Sequence, residues 1–201
     1  MEAGAVLLPN KKLSKALNIS EEELVRRMKE HDSRAMRQYY DLMASYLTAV
    51  CARYITQEEE LKDVLQDSFI RIFSAIDMFE YRGEGSLRAW SRRVVVNEAL
   101  NALRQSKQLS PISYTEQLPD IQEEEPETDD VPPDVIQRFI RELPVGYRTV
   151  FNLYVFEDKS HQEIAQMLHI KESSSASQLS RAKSILAKRI KEYKLHNNDK
   201  Q

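Results

Sequence analysis

The sequence predicts an all-α protein of two small helical domains joined by an acidic flexible linker, the C-terminal domain containing a helix-turn-helix. Three observations carry this. The 201 residues include only four glycines and seven prolines, and Leu, Ala, Arg, Gln and Glu, all good helix formers, are abundant. Apolar residues recur at helical spacing, while the strict alternation of a half-buried strand is scarce. The acidic charge is also concentrated. Between Lys107 and Pro133 eight acidic residues face one basic residue, a net of −7, so the remainder of a chain of net charge −3 carries +4. That segment, LSPISYTEQLPDIQEEEPETDDVPP, has too few large apolar residues to offset its chain entropy, and its like charges repel.

The elements follow in order. Residues 1–19 read as an N-terminal extension; Val6, Leu7 and Leu8 lie there, without the basic leader and long apolar stretch of a signal peptide. No window reaches the ~20 apolar residues of a membrane span, so the chain reads as cytoplasmic, with no direct membrane insertion. Ser20 with Glu23 forms a capping box opening a first helix. Asp32 or Ser33 caps a second, which runs through Met36, Tyr40, Leu47 and Val50. The single cysteine, Cys51, falls in that apolar pattern and reads as a small buried hydrophobe, and one thiol excludes an internal disulfide. In a third helix Leu61, Val64, Leu65, Ser68, Phe69, Ile72, Phe73 and Ile76 make a core face. Gly83 and Gly85 place half of all glycines in one loop, whose shape is therefore demanding. Ser86 caps a fourth helix reaching about Gln105. The first domain thus spans 20–106 and the linker 107–133.

In the second domain, 134–194, Val135, Ile136, Phe139, Ile140 and Leu143 form one stripe on a helix that Pro144 stops. Another helix covers Tyr147 to about Phe156. Ser160 with Glu163 is a capping box opening HQEIAQMLH, and a turn at His169 to Lys171 leads into a long final helix ending near Tyr193, before a tail over 195–201. These last two helices have the proportions of a helix-turn-helix, with the small Ala165 at the crossing and Ile170 in the turn.

Helical projection then separates inward from outward faces. On the final helix Leu179, Ala182, Leu186 and Ile190 point inward. Ser173, Ser177, Ser180, Arg181, Ser184 and Lys188 point outward, and Ser174 is counted with them. Short hydroxyls allow close approach to a DNA backbone or base edges, and the two cations neutralise phosphates; a solvated basic face is the plainer alternative. On the fourth helix Ala89, Val96, Leu100 and Leu103 cluster on one side. About a quarter turn away stand Trp90, Arg93, Asn97, Asn101 and Arg104. Aromatics stack on exposed bases, amides read base edges and arginines hold phosphates, so this stripe suits a strand whose bases have left the duplex. Trp90 reads equally well as a core residue. A second face of the third helix gathers Asp63, Gln66, Asp67 and Ile70, and an exposed isoleucine beside carboxylates suggests docking onto another protein, although a polar face with one stray apolar residue is ordinary.

An enzyme finds little support. No phosphate-cradling glycine loop is present, His161 to Glu163 lacks the two-histidine spacing of a zinc helix, and the adjacent His31, Asp32 and Ser33 do not make a triad. No catalytic residue, metal or cofactor is expected.

Two linked motif sets resemble one family. DVLQDSFIRIF followed by RGEGSLRAWSRRVVVNEALNALR is similar to the core-binding and promoter-melting segments of extracytoplasmic-function (ECF) type RNA polymerase sigma factors, of the sigma-70 family. IRELPVGYRTVFNLYVFEDKSHQEIAQMLHIKESSSASQLSRAKSIL resembles their C-terminal domain, and the likeness runs from about Ser33 to Ile190. The resemblance implies that Asp63, Gln66, Asp67 and Phe69 fall in the segment that docks on the clamp coiled coil of the polymerase's largest subunit; helical projection turns Phe69 inward, which leaves Asp63, Gln66 and Asp67, with the outward Ile70 of the same face, as the docking residues. It implies that the loop from Tyr81 to Ser86, with Arg82, and the helix with Trp90, Arg93 and Asn97 open the −10 element and capture an extruded base; the projected stripe adds Asn101 and Arg104 to that surface. The final helix would enter the major groove at the −35 element. Implied partners are core RNA polymerase, including the flap of its second-largest subunit, promoter DNA and an anti-sigma factor. The acidic linker would run through polymerase channels otherwise occupied by nucleic acid. Three positions depart from the pattern: His169 stands where Gly is usual, Ala176 where a basic or longer side chain is common, and Lys171 is a poor helix cap. The alternative is a stand-alone helix-turn-helix DNA-binding regulator, which would need a dimerisation or ligand domain in the N-terminal half.

Overall fold

The structure, a computed structural model, describes residues 19–106, 108–109 and 126–198. Most of the expected N-terminal extension and most of the acidic linker lie outside the described residues. Among the described residues there are eight α-helices, one short 3₁₀ helix and no strand. The chain divides into two compact units between Leu100 and Asn101.

In the first unit, α1 (Glu21–Lys29) begins at the cap Ser20, whose hydroxyl accepts the Glu23 N–H at 3.1 Å. Only this half of the expected capping box forms. The Glu23 carboxylate turns along the helix to Arg26 (2.8 Å) and Arg27 (2.6 Å), two charged donors that outcompete one backbone amide. Those guanidiniums hold its pKa down to about 2. Asp32 caps α2 (Ser33–Cys51), accepting the Arg34 N–H at 2.8 Å. The α2 core stripe is Ala35, Tyr39, Met43, Leu47, Val50 and Cys51, one residue out of phase with the expected Met36 and Tyr40. Tyr40 is 46% exposed, because successive four-residue steps back from Leu47 reach Met43, Tyr39 and Ala35. Tyr39 sits at the centre of the unit, edge-on to Phe69 and Phe73, and donates to Ser91 Oγ at 2.6 Å. Cys51 is buried, and loss of solvent with the nearby charge of Glu60 pushes its pKa up to about 12, so it packs as a hydrophobe.

The core face of α3 (Glu58–Ala75) is Val64, Ser68, Phe69 and Ile72, with Leu61, Leu65 and Phe73 half-buried beside it. Ser68 sits inside this apolar face because its hydroxyl donates back to the Val64 carbonyl at 2.6 Å. The 3₁₀ turn Ile76–Met78 then leads to the glycine loop and α4 (Ser86–Gln105). Inward on α4 are Leu87, Ser91, Val95, Val96, Ala99, Leu100 and Leu103, whereas Ala89, expected inside, is exposed. The buried arc is anchored instead by Leu87 and by Arg88, whose guanidinium lies 3.9 Å over the Tyr46 ring.

In the second unit, Val131 is buried and Pro133 opens α5 (Pro133–Arg141), so the helical domain begins inside the last residues assigned to the linker. Proline suits a first helical turn, where its missing N–H would have had no partner. The run Gly146–Leu153 of α6 (Val145–Val155) is buried without a break, on every side of the helix, which makes it the central helix of this unit. Arg148, buried within it, donates to the carbonyls of Arg141 (2.9 Å) and Leu143 (3.1 Å) and so satisfies the end of α5.

The expected capping box of α7 (His161–Leu168) forms in full, Ser160 and Glu163 exchanging hydrogen bonds. His169 closes α7 in the left-handed conformation, φ 55° and ψ 43°, as a residue in the glycine position of such a turn must. Glycine at 169 removes the Cβ strain but adds unfolded-chain entropy. His169→Gly is therefore expected to stabilise the protein by about 0.5–1 kcal/mol, read as a rise in chemical denaturation midpoint at unchanged slope. The final helix α8 (Glu172–Asn198) passes the expected end at Tyr193, since no Gly or Pro follows to stop it. It is tied to α5 by Arg189 with Glu142 at 2.7 Å and by the edge-on rings of Phe139 and Tyr193. Across the helix-turn-helix, His161 Nδ1 and the buried Ser175 hydroxyl lie 3.0 Å apart.

Candidate nucleic-acid interface

Three surfaces carry the residues singled out by the sequence. The first is the outer face of α3, where Asp63, Gln66, Asp67 and Ile70 are all exposed, at positions that fall on one side of the helix. Ile70 is 56% exposed, while the adjacent Phe69 is buried. The arrangement is two carboxylates and an amide around a bare branched apolar side chain, suited to a protein surface offering cations around an apolar hollow.

The second surface is the loop 79–86 with the start of α4. Phe79 is buried and supports Trp90, their ring centroids 5.0 Å apart at 37°. Trp90 is half-buried: it packs against Phe79, as the core reading expects, and still leaves part of its surface exposed. Arg93, Asn97 and Arg104 are exposed and Asn101 is half-buried, and Arg104 donates to the Asn101 side-chain oxygen at 2.7 Å. Arg82 is exposed and pairs with Glu80 at 3.0 Å. Tyr81 is half-exposed, its phenol pKa raised by lost solvation and by the negative charges of Glu21, Glu22 and Glu84. Gly83 and Gly85 adopt φ of 112° and 90°. The demand at Gly83 is purely conformational, since a Cβ there would meet nothing within 4 Å.

Ser86 does not cap α4 as expected. It is the first helical residue, and its hydroxyl accepts the Arg82 N–H at 3.3 Å. The cap comes from Glu21, whose two carboxylate oxygens accept the N–H groups of Gly85 and Leu87, each at 2.9 Å. Sequence reading missed Glu21 and Phe79. Neither carries a local signal, since Glu21 stands 64 residues from Gly85 and looks like an ordinary acidic first-turn residue.

The third surface is the outer face of α8. Ser173, Ser177, Arg181 and Lys188 are exposed, and Ser174 and Ser180 are partly so. Ser184 is a correction: it is 2% exposed and its hydroxyl donates to the Ser180 carbonyl at 3.1 Å. Helical projection assumes one buried side, but here Ala182, Ser184, Leu186 and Ala187 are buried together, so α8 is enclosed around more than half its circumference. The hydroxyl, turned back on its own helix, is not offered to a ligand.

Among the described residues no cluster of His, Cys, Asp and Glu could hold a metal ion, and no helix is long and apolar enough to cross a membrane.

Comparison with known proteins gives two matches in chain order. Residues 37–108 match the family described as Sigma-70 region 2, and residues 134–186 match Sigma-70, region 4. Among curated proteins the chain is similar to the ECF RNA polymerase sigma-E factor of Haemophilus influenzae, 24% identical over 87% of this chain and 97% of that one. It is also similar to the RNA polymerase sigma-H factor of Pseudomonas aeruginosa, 27% identical over 85% and 93%. A third relative is the ECF RNA polymerase sigma factor SigW of Bacillus subtilis, 25% identical over 84% and 95%.

Proposed function

Since the chain belongs to the ECF group of the sigma-70 family and is a promoter-recognising sigma factor of RNA polymerase, we propose that it divides this work among the three surfaces above. Sigma factors are non-catalytic initiation factors, and their role implies binding of core polymerase and promoter DNA. In this reading residues 20–106 form the region 2 domain, 134–194 the region 4 domain and 107–133 the linker, and the protein works in the cytoplasm beside its polymerase. Asp63, Gln66, Asp67 and Ile70 dock on the clamp coiled coil of the largest subunit. Region 4 rests on the flap of the second-largest. A further partner, an anti-sigma factor, holds the protein inactive until a signal releases it.

At the −10 element, Tyr81, Arg82 and Ser86 of the loop meet the displaced strand, and Trp90, Arg93, Asn97, Asn101 and Arg104 line its path along α4. Extruding a base costs a few kcal/mol, which contacts in the receiving pocket must offset. The observation that carries this assignment is the juxtaposition of a half-exposed tryptophan, seated on Phe79, with a loop held in a two-glycine conformation. At the −35 element, Ser173, Ser174, Ser177 and Ser180 approach the groove and Arg181 and Lys188 neutralise phosphates. Lys188→Ala and Arg181→Ala are each expected to lower affinity of the holoenzyme for duplex promoter and to reduce the slope of log K against log salt by about 1. A salt titration of promoter binding reads both.

The assignment as a whole is tested by mixing the purified full chain with bacterial core RNA polymerase and assaying binding and promoter-dependent transcription. Tight association followed by specific initiation is expected. A protein that ignores core polymerase yet binds duplex DNA specifically by itself would instead be a stand-alone regulator.

A further inference from the structure

Glu21 is the first residue of α1, and its side chain is nearly lost from solvent, with 7% exposed. A carboxylate in that position needs partners, and it finds them far along the chain. One oxygen accepts the Gly85 N–H and the other the Leu87 N–H, each at 2.9 Å. Amides at the start of a helix have no carbonyl of their own helix to reach, so a carboxylate there satisfies them and faces the positive end of the helix dipole. The acid of one helix therefore caps another, and it does so at the point where the glycine loop becomes α4.

The loop's other bonds depend on the same junction. Ser86 N–H reaches the Gly83 carbonyl at 3.1 Å, Arg82 N–H reaches Ser86 Oγ at 3.3 Å, and Ala89 N–H reaches the Gly85 carbonyl at 3.0 Å. Two glycines at positive φ give this segment wide conformational freedom when it is not held. A loop that had to order itself on DNA would lose part of its binding free energy to that ordering.

We infer that Glu21 is a positioning residue for promoter opening: it clamps the loop 81–86 in its base-receiving shape before DNA arrives. The inference rests on the proposed assignment of this loop and Trp90 to the −10 element. Glu21 touches no DNA in this scheme and acts only through the backbone of Gly85 and Leu87.

The test uses the full-length protein assembled with core polymerase, on a promoter that the unmodified holoenzyme selects from duplexes randomised in the −35 and −10 elements. In a version with a mismatched bubble over the −10 element, each non-template base is replaced in turn by an abasic site, and the ratio of transcription with and without the base is measured. In Glu21→Gln one side-chain oxygen still accepts, but the amide NH₂ confronts the second backbone N–H. The largest of those ratios is expected to fall at least tenfold, with affinity for core polymerase unchanged within twofold. Hydrogen exchange at the Gly85 and Leu87 amides should accelerate at least tenfold. Glu22→Gln, an exposed neighbour, should leave all three readings alone.

An unchanged ratio in Glu21→Gln overturns the inference, as does loss of core binding in proportion to loss of discrimination, which would mark a merely structural cap. If Glu21→Gln does not fold, exchange in the unmodified protein decides. Gly85 and Leu87 amides exchanging at the unprotected rate overturn the inference. Slow exchange, together with loss of discrimination in Gly83→Ala, which strains the loop without touching α1, supports it. Should the unmodified holoenzyme show no base preference anywhere in the −10 element while both amides remain protected, the −10 assignment fails, and the role of Glu21 falls with it although its bonds stand.

Discussion

Asp67→Arg is expected to weaken binding of the protein to core RNA polymerase about 100-fold, since reversing a charge within a docking face sets like charges together at a cost of several kcal/mol, and about 2.7 kcal/mol is a factor of 100. The position isolates docking from folding. Asp67 is exposed on α3, on the side away from Val64, Ser68, Phe69 and Ile72, and substitutions at such surface positions alter stability by roughly half a kcal/mol or less. The variant should keep the thermal melting curve of the unmodified protein while losing polymerase in a fluorescence-anisotropy or pull-down titration, and raising salt should narrow the gap between the two proteins. Wild-type affinity in Asp67→Arg would remove α3 from the docking face. Ile70→Ala, which deletes the 56% exposed apolar centre of the same face, should act in the same direction by a smaller factor.

Trp90→Ala should leave that affinity intact and instead lower transcription from duplex promoter by about 5- to 160-fold, the range set by losing one base–aromatic stack of about 1–3 kcal/mol. Part of the cost will be structural, because Phe79 loses the ring packed against it. Trp90→Phe separates the contributions, since it keeps an aromatic surface against Phe79 and a smaller face for a base. Permanganate reactivity of unpaired thymines in the −10 element reports opening directly. The expected order is unmodified protein, then Trp90→Phe, then Trp90→Ala, with equal promoter binding through the −35 element. Equal opening in all three proteins would reduce Trp90 to a core residue.

Both substitutions fall on residues that the sequence alone singles out, and the reason is local. The number and order of helices, the turn at His169, the caps at Asp32 and at Ser160 with Glu163, and the outward placement of Asp63, Gln66, Asp67 and Ile70 all depend on neighbours within about four residues along one helix. Periodicity and capping chemistry read that range well. The same limit explains the errors. Projection of one helix puts Ala89 inside and Ser184 outside because it knows the angles of that helix but not how far its neighbours wrap around it. Ser20 receives half its box because two arginines compete for the Glu23 carboxylate and win it.

By itself, then, the sequence determined an all-helical chain, its two motif-bearing halves and the side chains that face outward on α3 and most of α8. Only tertiary structure decided how the loop between α3 and α4 is held and what Trp90 rests on. Those answers lie in Glu21, 64 residues before the Gly85 amide it caps, and in Phe79 packed beneath the indole ring. Hydrogen bonds and ring contacts between distant segments leave no periodic trace, because their geometry is set by the packing of whole helices rather than by the order of residues along one.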